Sequence, residues 1–208
     1  MPSAPRSTAR ILDAALAVFL RHGYERGSMD AIAAEAGVAR RTLFNNFDTK
    51  RALFAAAIGR FWSAMPIAAI SADPESAEDP AAGLRRMAAA IAEFWSHPDA
   101  VALARLVIVE GERFPELATE FLGNNKVPAL DDLVSYLDRL RGRALLSVAD
   151  TDLAARQFVG LVNEPLLWFR VLGNGEQYPP ARRAYVVEEA VRTFLSRYAP
   201  PACRSGNG

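Results

Sequence analysis

The sequence predicts an all-α protein, an N-terminal three-helix helix-turn-helix domain followed by a larger helical bundle, on three observations. Alanine-rich segments carry apolar residues at helical spacing, alternating β-branched runs of strand type are scarce, and Gly and Pro punctuate the segments. The 51% apolar and 23% charged fractions match a folded, water-soluble chain and exclude a largely disordered one.

The first helix is expected over about 6–22, with Ile11, Ala15, Val18 and Phe19 on one face and Gly23 as its stop. Ser28 is the expected N-cap of a short helix that ends near Ala36, because its hydroxyl satisfies a free backbone N–H there. Gly37 supplies a turn, a second short helix covers about 40–45, and Asp48 caps a long connecting helix over about 48–70. The Ser, Asp, Glu and Pro of 71–80 read as a loop. Later helices are predicted over 82–96, 99–110, 115–122, 127–141, 151–172 and 181–197, bounded by Pro98, Pro115, Pro128 and Gly173-Asn174-Gly175. The expected organisation is a DNA-binding domain over 1–50, an effector and dimerisation domain over 51–200 and a flexible tail over 201–208.

No stretch approaches the ~18 apolar residues that cross a bilayer. The start lacks the apolar segment of a secretion signal, so a cytoplasmic protein with no membrane partner is expected. Cys203 is the single cysteine, and His22 and His97 have no ligand partners at metal spacing, so neither metal nor cofactor is expected. The formal net charge is zero, yet residues 1–60 hold nine Lys and Arg against five Asp and Glu, a balance of +4. The other residues hold 15 against 19, so one end is the better match for a polyanion.

From Met29 to Phe47 the spacing meets the demands of two short helices crossing steeply at a tight turn. Ala33 is small where the second helix comes closest, Gly37 can take a left-handed backbone, and Ile32, Ala36, Val38, Leu43 and Phe47 form the apolar wedge. With Ile11-Leu12-Asp13-Ala14-Ala15, Phe19, Gly23-Tyr24, Thr42-Leu43-Phe44, Lys50 and Leu53, the stretch from Arg10 to Ile58 resembles the TetR family of regulators. Arg105 to Ile108, Glu110 and Phe114-Pro115-Glu116-Leu117 resemble one common C-terminal variety of that family.

A short helix from Arg40 in the major groove would turn Arg40 and Arg41 to base edges, where a guanidinium bonds N7 and O6 of guanine. Thr42 is expected on a base methyl or a phosphate, and Asn45 and Asn46 on phosphate. The resemblance implies that Lys50 is a phosphate-binding lysine, and Ser28 and Phe44 complete the expected DNA surface. This chain departs from the family at Ala39, which replaces a hydroxyl cap, at Arg41, where a small residue is frequent, and at Phe44, which replaces a tyrosine.

For the effector, an apolar or aromatic small molecule is expected, with Trp62, Phe94, Trp95, Phe121 and Trp168 as aromatic lining. Arg105, Glu110, Asn163 and Glu164 are polar residues in apolar helix text and are the expected polar lining, with an internal ion pair or hydrogen bond as the alternative. The resemblance implies a homodimer on palindromic operator DNA, through a four-helix interface. Its expected residues are Phe158, Leu161, Val162, Leu166 and Phe169 on one helix and Val187, Ala190, Val191, Phe194 and Tyr198 on the next, although either stripe could instead be internal core. Repression is the family default and a ligand-responsive activator the alternative. An enzyme on a helical scaffold is the rival class, but the chain has no Gly-rich phosphate loop, nucleophile elbow or metal set.

Overall fold

A computed structural model describes residues 4–122, 128–173 and 178–200, the side chains of 4–6, 122 and 128 excepted. Twelve helices make up the regular structure among the described residues, in line with the all-α expectation. They are α1 (Ala4–Arg26), α2 (Met29–Ala36), α3 (Arg40–Asn46), α4 (Lys50–Trp62), α5 (Ile67–Ala72), α6 (Pro74–Glu78), α7 (Pro80–Ser96), α8 (Pro98–Glu110), α9 (Pro115–Leu122), α10 (Pro128–Gly142), α11 (Thr151–Val171) and α12 (Pro180–Tyr198). The expected tail over 201–208, and Asn174-Gly175 of the expected turn, lie outside the described residues.

Three expectations change. Helix α4 is capped by Thr49, whose side chain accepts from the Ala52 N–H at 3.0 Å, and not by Asp48. The connecting helix ends at Trp62 and does not run to 70, because Pro66 has no N–H to donate and restricts the residue before it. The expected loop over 71–80 holds α6 and the start of α7. Two Asp-Pro pairs start these helices: the Asp73 carboxylate accepts from Glu75 N–H with Pro74 behind it, and the Asp79 carboxylate from Ala82 N–H with Pro80 behind it. An acceptor at N-cap followed by a residue that needs no partner for its nitrogen is a strong helix start.

By packing, the chain forms two units, Met1–Ala64 with Ala102–Val127 and Met65–Val101 with Pro128–Gly208. The segment 102–127, expected in the second domain, thus packs with the N-terminal helices. Helix α8 belongs to both units, its first turn to the second and the rest to the first.

The first unit is built on fully buried Ile11, Ala15, Phe19, Ile32, Leu43 and Leu53. Each large side chain of that set contributes about 1.5–3 kcal/mol relative to exposure. Phe19, Tyr24 and Phe54 meet with ring centroids 5.3–5.5 Å apart, and Phe114 joins them 5.3 Å from Tyr24. In the second unit, α7 packs against α11 and α12, and α10 packs against α5 and α11. Leu84, Met87, Leu133, Tyr136, Phe158 and Val162 are buried there.

Candidate nucleic-acid interface and effector domain

Helices α2 and α3 form the expected helix-turn-helix. Ser28 caps α2, its hydroxyl accepting from Ala31 N–H at 3.1 Å. Gly37 ends α2 in the left-handed conformation, φ 61° and ψ 39°, which a glycine adopts without a Cβ clash. Its N–H and that of Val38 donate to the carbonyls of Ala34 and Ala33 at 3.1 and 3.0 Å, closing the helix end. A guanidinium nitrogen of Arg10 donates to the Ala36 carbonyl at 2.5 Å and ties the turn to α1, a contact the sequence reading did not single out.

Leu43 is fully buried behind α3, whereas Arg40, Arg41, Phe44, Asn45 and Asn46 are exposed and Thr42 is half-buried. Ala39 caps α3 with no side-chain bond. Arg40 pairs with Asp30 of α2 at 3.0 Å, and its guanidinium carbon lies 5.4 Å from the Phe44 ring centroid. Asn46 is turned back on its own helix, its Nδ2 donating to the Thr42 carbonyl at 2.7 Å, and its Oδ1 accepts from the Thr8 hydroxyl at 3.4 Å. The Lys50 ammonium donates to the carbonyls of Tyr24 and Glu25 at 2.8 and 3.0 Å.

The expected effector residues divide between the units. In the first, Trp62 lies 5.2 Å from Phe121 between centroids, and Arg105 is exposed. Glu110 has a specific structural partner: its two carboxylate oxygens accept from the N–H groups of Tyr24 and Glu25, each at 3.0 Å. In the second, Phe94 and Trp95 meet edge-on at 5.1 Å, while Glu164 and Trp168 are exposed. Arg105 and Glu164 therefore do not carry the burial cost that the apolar text around them implied, since both look outward from their helices. Asn163 is half-buried, and its Oδ1 is buried with no hydrogen-bond partner among the described residues.

The expected dimer stripes require correction. Phe158, Val162 and Leu166 of α11, and Val187, Ala190, Val191, Phe194 and Tyr198 of α12, are all buried within the chain, Phe158 with its ring 5.1 Å from Phe194. These side chains pack within their own chain and have almost no area left for a second copy. Leu161 is half-buried, and Phe169 is 58% exposed. The apolar residues left outside on α11 are Leu153, Trp168, Phe169 and Leu172, with Tyr185 on α12. Leu153, Leu161, Trp168 and Leu172 fall on one helical face. A groove of about 510 Å³ runs beside it, lined by Gly160, Leu161, Pro165 and Thr193 among others.

Comparison with known proteins agrees with this architecture. Residues 11–57 match the family of bacterial regulatory proteins called tetR, and residues 82–200 match the C-terminal domain of AefR-like transcriptional repressors. The flavonoid-responsive regulator FrrA is 30% identical over 95% of this chain and 100% of its own, with a TM-score of 0.75. A TetR-family regulator from Pseudomonas syringae pv. tomato strain DC3000 is 26% identical, covering 97% of this chain and 100% of its own at a TM-score of 0.71. A TetR regulator from Agrobacterium tumefaciens is 24% identical, covering 99% and 100% at 0.79, and shares the fold. No curated protein matches by sequence. One family model spans the helix-turn-helix and the other more than half of the chain, and the chain belongs to the TetR family of transcriptional regulators.

Proposed function

We propose that this regulator is a homodimeric repressor that holds a palindromic operator with α3 and leaves it when a small aromatic molecule binds the helical domain. The observation that carries the reading is the arrangement of α3, with Leu43 buried at its back and Arg40, Arg41 and Asn45 exposed at its front. Two guanidinium groups at the leading end of a short exposed helix suit guanine in the major groove, and each bidentate pair contributes about 1–3 kcal/mol of discrimination. Thr42, Asn45 and Asn46 serve the flanking bases and phosphates, Lys50 a phosphate, and Ser28 holds the start of α2 beside them. With Phe44 in place of a tyrosine, that phosphate bond is absent and the ring supports Arg40.

Dimerisation uses the exposed face of α11 around Leu161, Trp168 and Phe169. Effector binding belongs to the helical domain, and reversible release, not turnover, is its role. The similarity to FrrA supports a planar aromatic effector of the flavonoid class. An acceptor such as Asn163 Oδ1 suits the hydroxyl of such a molecule, because an unbonded buried oxygen costs free energy that a ligand donor recovers. Among the described residues no helix is long and apolar enough to cross a membrane, which agrees with a protein that works in the cytoplasm on DNA.

Selection of duplexes from a random-core library tests the reading. The full-length protein should prefer one inverted repeat over competitor DNA by at least about 10³-fold, and Arg40→Ala and Arg41→Ala should each relax the preference at one position of each half-site. Naringenin, a flavonoid, should release the selected duplex where palmitate does not. Failure to select any sequence removes the DNA reading, and release by palmitate alone removes the aromatic effector.

A further inference from the structure

Residues Tyr24 and Glu25, just past the break in α1, are held from two sides. The Tyr24 and Glu25 N–H groups donate to Oε1 and Oε2 of Glu110, each at 3.0 Å. The Tyr24 and Glu25 carbonyls accept from the Lys50 ammonium at 2.8 and 3.0 Å, and the ammonium nitrogen also lies 4.5 Å from the Tyr24 ring centroid. The peptide group that joins Tyr24 to Glu25 is therefore bonded at both ends, its oxygen to Lys50 and its N–H to Glu110. Both bonds involve a charged partner, which makes each stronger than a neutral one, and a peptide polarised at one end bonds better at the other.

Gly23 makes the approach feasible. Its φ of 82° breaks the helix and turns the next two N–H groups toward Glu110, and a Cβ there would overlap Glu110 Oε1. The same segment is gripped again by Arg113, which pairs with Glu25, and by Phe114, which stacks edge-on against Tyr24.

We propose that Glu110 is a positioning residue for DNA binding: it fixes the Tyr24–Glu25 peptide, and that peptide fixes the Lys50 ammonium at the start of α4, where its remaining N–H meets a DNA phosphate. A lysine head on a flexible four-carbon stem loses rotamer freedom when it docks, and two carbonyls that hold it beforehand reduce that loss. Glu110 touches neither base nor phosphate in this arrangement. It rests on the assignment of Lys50 to phosphate made above.

The test uses the full-length protein and a duplex that the wild-type protein selects, with affinity measured from about 50 to 200 mM salt. Lys50→Ala should weaken binding about 3–10-fold and reduce the slope of log K against log salt by about 0.9, the signature of one lost phosphate contact. Glu110→Ala should reproduce both changes, and the double variant should lose no more than either single one. Glu110→Gln keeps the size of the side chain but sets an NH₂ against one of the two peptide N–H groups, and it should also lower the slope while melting at the wild-type temperature within a few degrees. An unchanged slope in the Glu110 variants, or a double variant whose loss is the product of the single ones, overturns the proposal and leaves sequence-specific binding standing. An unchanged slope in Lys50→Ala overturns it through the phosphate contact, and a wild-type protein that selects no duplex overturns the DNA reading itself.

Discussion

Asp30 and Arg40 meet across the turn of the helix-turn-helix at 3.0 Å, so that a base-reading arginine is tethered to the preceding helix. Both side chains are well exposed, and such a pair contributes only about 0.2–1 kcal/mol to stability. Its effect on DNA is larger, because the carboxylate repels the phosphates that α3 approaches. Asp30→Ala should leave the melting temperature nearly unchanged, raise affinity for random-sequence DNA at low salt and reduce discrimination against it. Anisotropy titrations with selected and random duplexes check this; tighter discrimination in the variant would contradict it.

The burial pattern on α11 separates interface from core. Trp168 and Phe169 are about half exposed, at 49% and 58%, whereas Phe158 is fully buried. Replacing Trp168 and Phe169 together by Glu should give a folded monomer by light scattering at micromolar concentration, with operator binding weakened in parallel. Phe158→Ala should instead destabilise the chain by about 3–5 kcal/mol through the cavity it leaves. A Trp168→Glu, Phe169→Glu double variant that remains a dimer would move the interface elsewhere.

Tyr136 gives the second unit an alkaline limit. Its ring is fully buried, and its hydroxyl donates to the Ser76 carbonyl at 2.6 Å, close enough to Gly83 that a Cβ there would overlap it. Burial, with the charge of Asp79 adding to it, pushes the phenol up to about 12 from 10.0. The unfolded chain loses this proton near pH 10 while the folded one keeps it, so this contribution to stability is complete below pH 10 and declines as pH rises toward 12. Tyr136→Phe should cost about 1–3 kcal/mol at neutral pH by leaving a buried carbonyl unbonded, and should flatten the alkaline decline. Urea melts at pH 7 and in steps above pH 10 report both, and an equally steep decline in the variant would exclude Tyr136 as its source.

The helix-turn-helix was legible because its determinants are local. Ala33, Gly37 and Leu43 lie within eleven residues, and a turn that needs a left-handed residue beside a small one leaves few alternatives. Asp73-Pro74 and Asp79-Pro80 misled because the residues that start helices are also those that fill loops. The stripes on α11 and α12 misled for another reason, since a core and an interface both require apolar side chains. Phe158 and Leu161 differ only by a partial turn of the helix, and which of them faces inward depends on where α12 packs. Glu110 lies 86 residues from Tyr24, and no local pattern announces a carboxylate that serves two distant peptide groups.

The chain passes between its two packed units after Ala64, after Val101 and after Val127. Glu110, Phe114 and Phe121 are part of the DNA-reading unit, so during synthesis that unit stays incomplete until the middle of the chain has emerged, and the first 64 residues leave the ribosome with Tyr24 and Trp62 lacking part of their packing. A hybrid regulator made by joining one protein's reader to another's sensor would have to carry 102–127 with the reader, or it would inherit a head without its support.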